Sequence, residues 1–138
     1  MTRKSRNEFR FNYNTNHPNY IFYEDNGRYK SVGLTHHKNY TTKKYGIFKN
    51  MPLRKNPHIY DEEDAYVRYG IISAKKNYYG KVLSNYRFSD SDFKNVKSKI
   101  RNYKKYKRNK KNKWTPGSIH ENFVHLQHYY ILKVLKNQ

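Results

Sequence analysis

The side chains best suited to chemistry stand in two short segments of this chain, at His17 and at Thr35-His36-His37-Lys38. RNA can be cleaved without a metal if a base takes the proton of the 2′-OH, a cation stabilises the phosphorane and an acid protonates the leaving 5′-oxygen. Imidazole can act as the base or the acid near neutrality, and Lys neutralises developing charge on phosphate. The Thr hydroxyl can position the scissile phosphate. Spacing alone favours the plainer alternative, that these are ordinary polar residues at the end of a strand.

A β-hairpin is predicted to carry both segments to one edge of a sheet. Two apolar and aromatic runs, residues 20–23 and 29–34, flank Asn26-Gly27. Asn-Gly between strand-like runs indicates a hairpin, because both residues accept the positive φ of a type I′ turn. The outer ends of such a hairpin lie close together, so the two chemically active segments are expected to meet there.

Charge is the strongest signal in the composition. Thirty Lys and Arg residues against ten Asp and Glu give the 138-residue chain a formal net charge of +20. Such a domain attracts polyanions through counterion release, so nucleic acid is the expected partner, with RNA preferred over DNA. An anionic membrane is the weaker alternative, because the basic segments lack the apolar face of an interfacial helix.

Composition also limits location and chemistry. No apolar run has the length of a membrane span, so no membrane partner is expected. The chain has no Cys, which excludes disulfides, thiolate metal sites and cysteine nucleophiles, and fits a cytoplasmic protein.

The patterns predict an α+β fold: a small, strongly curved antiparallel β-sheet or SH3-like barrel with one basic amphipathic helix and a C-terminal helix. Alternating apolar residues over 65–74 indicate the best strand. Ser89 is the expected N-cap of the basic helix, whose apolar stripe follows at spacings of three and four. The 16 Tyr and 7 Phe are expected to supply much of the core.

Composition divides the chain into four parts. Residues 1–16 are polar and basic and are interpreted as a flexible arm, with a strand at about residues 8–13 as the alternative. Residues 17–106 form the predicted nucleic-acid-binding core, 107–117 a polybasic linker, and 118–138 a C-terminal helix that begins at a capping box.

A set of cationic and imidazole side chains is predicted to bind nucleic acid around the two catalytic segments and along the basic helix. They are Lys30, His37, Arg68, Arg101, Lys104, Lys105, Lys107, Arg108, Lys110 and Lys111. For the helical members the alternative is a solvated helix end that contacts nothing.

Two other clusters contain metal-ligating residue types. Residues 61–64 are the only acidic run, but contiguous carboxylates in a loop point apart, whereas oxygen-ligand sites use spaced ones. Glu121, His125 and His128 fall on one helical face, without the H-E-x-x-H pattern of zinc enzymes. A solvated loop and a polar helix face are the favoured interpretations, so neither a metal nor a cofactor is expected.

Several motifs resemble the MazF/PemK/ToxN-like toxin family. They are GLTHHKN after the hairpin, MPL in the next short strand, AYVRYGIISAKKNYYGKVL around the long strand and FSDSDFKNVKSKI at the helix, and they span about residues 17–100. Residues 34–36 stand at the family's LTS, residues 71–76 at its IRTVDK and residues 88–100 at its helix.

The resemblance implies an SH3-like β-barrel with helices and a metal-independent endoribonuclease that leaves 2′,3′-cyclic phosphate ends. It places the family's Thr or Ser at Thr35 and His36, and the Lys of ToxN-like members at Lys38. A toxin of this kind has a neutralising antitoxin as its partner.

The chain departs from the family at His17-Pro18, where the family has Arg-Pro. His17 can still move a proton, but the phosphate-binding role of the missing Arg then needs another cation, Arg68 or Lys30.

The leading hypothesis is a small toxin-like ribonuclease with Thr35, His36 and Lys38 at the phosphate, His17 as base or acid, and Arg68 as a clamp. The alternative is a non-catalytic nucleic-acid-binding protein of a phage or mobile element: a regulator, an inhibitor of a nucleic-acid-dependent enzyme, or a subunit of a larger ribonucleoprotein. The net charge supports both equally.

Overall fold

A computed structural model describes residues 3–44 and 46–113 of the chain, without the side chains of residues 42 and 106–113. The strands in this part are β1 (Arg3–Asn12), β2 (His17–Asp25), β3 (Arg28–Thr35), β4 (Asn39–Thr42), β5 (Gly46–Lys49), β6 (Met51–Pro52), β7 (Tyr66–Lys75) and β8 (Tyr79–Val82). One 3-10 turn, Lys76–Tyr78, joins β7 to β8, and the helix α1 spans Asp90–Lys113.

Six of these strands form one sheet in the order β6-β7-β3-β2-β1-β8, and β4 pairs with β5 separately. Every neighbouring pair is antiparallel. Within the described residues the outer strands β6 and β8 do not pair with each other, so the sheet does not close into a barrel there. The predicted α+β class is confirmed as a mostly antiparallel sheet with one helix.

The predicted hairpin is confirmed as β2 and β3. Its two-residue turn has Asn26 at φ 51° and Gly27 at φ 78°, the left-handed conformation that a type I′ turn requires. Asn19 lies opposite Gly33 in the register. The first residue of β2 and the last residue of β3 therefore lie at the same end of the hairpin.

The prediction of a flexible arm over residues 1–16 is wrong for Arg3–Asn12, which form β1 between β2 and β8. Phe9 is 5% exposed, and its ring centroid lies 5.3 Å from that of Tyr20. The charges of the strand have partners, since Arg6 contacts the buried Glu24 at 2.6 Å. The basic composition of residues 1–16 suggested a tail, because the partners of these charges lie far away in the sequence.

The main core lies between the sheet and α1, and its buried side chains come from both and from the segment just before α1. They are Phe9, Tyr20, Val32, Leu34, Val67, Phe88, Val96 and Ile100. Ser89 is the N-cap, because its Oγ accepts a hydrogen bond from Asp92 N at 3.2 Å. The buried Asp92 carboxylate in turn accepts from the backbone N–H groups of Arg54 and Lys55 at 2.9 and 3.1 Å. This contact anchors the loop that follows β6 to the start of the helix.

The helix continues further than the sequence analysis placed it. Residues 107–113, assigned to a polybasic linker, are the last turns of α1. Lys and Arg favour helix, and the stretch contains neither Gly nor Pro. The predicted C-terminal helix at 118–138 and the candidate ligands Glu121, His125 and His128 lie outside the described residues.

Among the described residues, no helix combines the length and the apolar character that crossing a bilayer needs.

Candidate functional site

The end of the β2–β3 hairpin faces a concavity of about 120 Å³. Four of the residues that the sequence analysis selected line it: His17, Thr35, His36 and His37. The opposite wall comes from the loop after β6, which contributes Asn56, His58 and Asp61. The hairpin thus gathers the predicted imidazoles and hydroxyl as expected, and a distant loop covers them.

His17 is the first residue of β2 and is half-buried at the base of the concavity. Burial lowers its pKa below the ordinary value of 6.5, and the nearby positive charges of Arg68, His37 and His36 lower it further. A hydrogen bond with the Leu34 backbone acts in the opposite direction. The ring is therefore neutral at pH 7 and able to accept a proton.

A buried polar network supports the backbone at His17. Asn19 is fully buried, and with its amide oriented to suit its neighbours it donates to the carbonyls of His17 and Pro18 at 3.2 and 3.0 Å. In that orientation its oxygen accepts from Ser31 Oγ at 2.8 Å, and Ser31 Oγ lies 2.7 Å from the hydroxyl of Tyr79. The network ties the start of β2 to β3 and β8 and holds the base of the concavity in place.

Thr35 closes β3 and is 8% exposed. Its Oγ1 accepts a hydrogen bond from His37 N at 3.2 Å, so its own O–H can donate into the concavity. Asn50 holds the segment after Thr35, because its side-chain amide donates to the His37 carbonyl and its backbone N–H donates to the Lys38 carbonyl, both at 3.0 Å. The turn that presents the two histidines is therefore pinned to the end of β5.

The most consequential neighbour of His36 is Asp61, which was predicted to lie in a solvated loop. His36 Nε2 lies 2.9 Å from Asp61 Oδ2 and 3.6 Å from Glu63 Oε1. The pKa of Asp61 is lowered by the hydrogen bond from Glu63 N and then by His36. Sequence carried one hint, since the only acidic run of a strongly basic chain needs cationic neighbours, but it did not indicate which.

The two cations assigned to the phosphate, Lys38 and Arg68, differ in exposure and in neighbours. Neither of them lines the concavity, and Lys38 is exposed whereas Arg68 is half-buried. Arg68, on β7, is close enough to His17 for its charge to lower the pKa of that imidazole. Its stem crosses Gly33, where an added Cβ would lie 3.0 Å from Arg68 Cδ, and its guanidinium lies 5.1 Å from the ring centroid of Tyr40.

A second cationic group lies on the sheet beside α1, and we call it the Tyr23 patch: Phe22, Tyr23, Lys30 and Lys104. The Lys30 and Lys104 ammonium groups lie 5.9 and 5.8 Å from the Tyr23 ring centroid, and Lys104 lies 5.2 Å from that of Phe22. Burial lowers the pKa of Lys104, and the charge of Lys30 adds to this. Within the described part of the chain, neither ammonium forms an ion pair with a carboxylate.

The remaining predicted contacts fall on α1. Arg101 is exposed and donates to Ser98 Oγ at 3.2 Å, and Lys105 is exposed. The other predicted contacts belong to the backbone span of α1, but their side chains lie outside the described part: Lys107, Arg108, Lys110 and Lys111.

Comparisons with protein-family models, with curated proteins and with solved structures find no match to this chain. What the site can do is therefore inferred from its own chemistry. It combines the neutral imidazole of His17, the hydroxyl of Thr35, a second imidazole held by a carboxylate, and a guanidinium near enough for its charge to act on His17.

Proposed function

We propose that this protein is a toxin-like endoribonuclease that cleaves RNA at the hairpin concavity by attack of the 2′-OH, without a metal. The observation that carries the proposal is that His17, Thr35 and His36 line one concavity in a chain of net charge +20. Two imidazoles and a hydroxyl are a set that suits transesterification of a phosphodiester.

In the proposed reaction His17 accepts the 2′-OH proton while the 2′-oxygen attacks phosphorus. The P–O5′ bond breaks as His36, in its protonated form, gives a proton to the leaving 5′-oxygen. The products are a 2′,3′-cyclic phosphate and a free 5′-OH. Asp61 lies 2.9 Å from His36 Nε2, and a carboxylate there fixes the orientation of the ring.

Stabilisation of the phosphorane falls to Thr35 and Arg68. The Thr35 hydroxyl accepts from His37 N through an oxygen lone pair, and its O–H can donate to a phosphate oxygen. Arg68 supplies the positive charge, and a guanidinium matches two phosphate oxygens at once. In this assignment Arg68 takes the role that the family's missing Arg would have at His17, and Lys38 serves as a more distant phosphate contact.

The family resemblance extends the proposal to the fold and the partner. We propose that the sheet curves in the manner of an SH3-like barrel. Register shifts in the β1–β2, β2–β3 and β3–β7 pairs support this, because bulges increase twist. A neutralising antitoxin that covers the concavity is the partner that such an activity would need.

The second candidate function is non-catalytic binding of nucleic acid. The Tyr23 patch favours it, because two ammonium groups and two aromatic rings can bind a phosphate and stack a base with no contribution from the concavity.

Cleavage of a single-stranded RNA by the tag-free protein in EDTA tests the proposal. We expect cleavage with cyclic phosphate ends, and a loss of about 10²- to 10⁴-fold for His17→Ala and for His36→Ala, as for removal of a general acid or base. His128→Ala makes the same chemical change at a residue that no step of the proposed reaction uses, and should keep the rate within about threefold.

Circular dichroism and thermal melting show whether each variant is folded. If the protein binds RNA but leaves it intact in every metal-free buffer, the second candidate function, non-catalytic binding, is the correct one. Equal losses in His36→Ala and His128→Ala would also contradict the assignment of the site.

A further inference from the structure

We propose that His36, Asp61 and Glu63 form a binding site for a divalent transition-metal ion of the zinc class, and that the bound ion switches off the proposed ribonuclease by occupying His36. The inhibitory consequence rests on the proposed function, whereas the binding site itself does not.

The three donor atoms are close to the arrangement that an ion needs. His36 Nε2, a carboxylate oxygen of Asp61 and one of Glu63 all lie within 4.8 Å of one another. Nε2 is 2.9 Å from Asp61 Oδ2 and 3.6 Å from Glu63 Oε1. Tetrahedral zinc with ligands at about 2.0–2.2 Å separates its donors by about 3.2–3.6 Å. Small side-chain movements therefore suffice to bind it.

The loop that carries the carboxylates is held in shape by its own hydrogen bonds. Asp61 Oδ1 accepts from Glu63 N at 3.0 Å, which leaves Oδ2 directed at His36. Asn56 Nδ2 donates to the Glu63 carbonyl at 3.0 Å, and Asp61 N donates to the His58 carbonyl at the same distance. The two carboxylates are thus presented together, and little ordering of the loop remains for the ion to induce.

The residue types select the kind of ion. One imidazole with two carboxylates suits zinc and its neighbours in the transition series, whereas Mg²⁺ prefers oxygen ligands only and retains its waters. The three side chains are 51%, 29% and 74% exposed, so solvent can fill the open positions around the ion. The ion would also offset two negative charges that otherwise face an incoming phosphate.

Occupation of the site and proton transfer exclude each other at His36. The proposed general acid is the imidazolium form of His36, which carries a proton on both ring nitrogens. A metal on Nε2 takes the place of one of these protons, so the ring can no longer act as that acid. The protein would then be inactive with the ion and active after chelation. This direction is opposite to that of a metal-dependent nuclease.

Zinc binding by the tag-free full-length protein tests the site without any RNA. A chromogenic chelator competes for Zn²⁺ with wild type, Glu63→Gln, His36→Ala and the control Glu62→Gln, which removes the same charge from the neighbouring position of the same loop. We expect one zinc equivalent in wild type that is weakened at least tenfold in Glu63→Gln and in His36→Ala. Glu62→Gln should change its affinity less than twofold, and Mg²⁺ should not compete.

Equal weakening in Glu62→Gln and Glu63→Gln would overturn the site in favour of diffuse attraction to an acidic loop. Zinc that stays bound in His36→Ala would overturn it in favour of other ligands such as His125 and His128. Absence of binding to wild type overturns it outright. If the protein cleaves RNA, Zn²⁺ should inhibit it with the same midpoint as binding, and cleavage that resists bound zinc refutes the inhibitory role alone.

Discussion

At the scale of single residues, the candidate site depends on partners that lie far from the hairpin. His36 meets a carboxylate 25 residues later in the chain, and His17 lies within reach of the charge of Arg68 on β7. The charged group that acts on each imidazole therefore comes from a different element, β7 for His17 and the loop after β6 for His36. The hairpin supplies the rings, and β7 and the loop after β6 supply the groups that hold or tune them.

Arg68 and Lys38 offer a direct comparison of two cations. We expect Arg68→Ala to lower kcat/KM for RNA cleavage by about 10²-fold, the usual cost of removing one donor that stabilises a transition-state anion. Lys38→Ala removes the same charge from a more exposed side chain and should cost less than about threefold.

Initial rates measured at one ionic strength, with melting curves of both variants, check this prediction. Arg68→Lys separates charge from geometry, since it keeps the charge and loses the planar fork. A loss of activity in Lys38→Ala as large as that in Arg68→Ala would indicate that Lys38 contacts the phosphate, as predicted from the sequence.

At the scale of elements, Glu24 joins three parts of the sheet. It lies on β2 with its side chain 5% exposed, and it accepts from Arg6 on β1 and pairs with Lys76, the residue that follows β7. Lys76 and Arg6, in that order, lower its pKa below the ordinary value of 4.5. The ionised form of the Glu24 carboxylate is thus the one that stabilises the folded sheet.

The stabilisation from Glu24 should therefore depend on pH. Because its pKa is depressed on folding, the contribution is complete above the unfolded value of 4.5 and is lost as the pH falls through the folded value. We expect Glu24→Gln to melt below wild type at pH 7 and the difference to shrink steadily under acid conditions. Thermal melts of wild type, Glu24→Gln and the exposed control Glu62→Gln measure this, and a difference that is unchanged in acid would contradict it.

Local signals explain which elements could be predicted. Asn26-Gly27 specifies its turn through backbone conformation alone, and Ser89 caps α1 through a hydrogen bond three residues away. The C-terminal half of β1 agrees with the alternative of a strand at about residues 8–13, but its N-terminal half could not be recognised, because the partner of Arg6 lies on another strand. The Asp61–His36 contact was missed for the same reason, whereas the meeting of His17 with Thr35 followed from the hairpin itself.

At the scale of the whole molecule, the net charge of +20 would attract the proposed RNA substrate to the surface but would not position it. Position requires cations with no carboxylate partner, and the Tyr23 patch provides two of them within the described residues. An extended strand of RNA that stacks on Phe22 and Tyr23 would have its phosphates beside Lys30 and Lys104. The patch and the concavity are thus two separate places at which such a strand can be held.

The salt dependence of RNA affinity tests the patch. The double variant Lys30→Ala/Lys104→Ala should reduce the slope of log affinity against log salt by about 1 to 2, since each phosphate contact contributes about 0.7 for a single strand. Lys49→Ala/Lys81→Ala removes the same charge from exposed positions on β5 and β8 and should change the slope by less than about 0.5.

Both double variants are best measured in a His36→Ala background, so that the RNA remains intact. Equal slopes for the two double variants would mean that RNA responds to the net charge as a whole and has no specific contact with the Tyr23 patch.

The close crossing of Arg68 over Gly33 restricts how this protein can diverge. A methyl group at position 33 meets the Arg68 stem at 3.0 Å and the Asn19 side-chain amide at 3.4 Å, so a residue larger than glycine there requires the Arg68 side chain to move aside or to be replaced by a shorter one. We expect homologous chains to show these two positions co-varying, with glycine retained wherever the arginine is present. A lineage that fills position 33 would give up the cation beside His17 and, with it, the activity proposed for this fold.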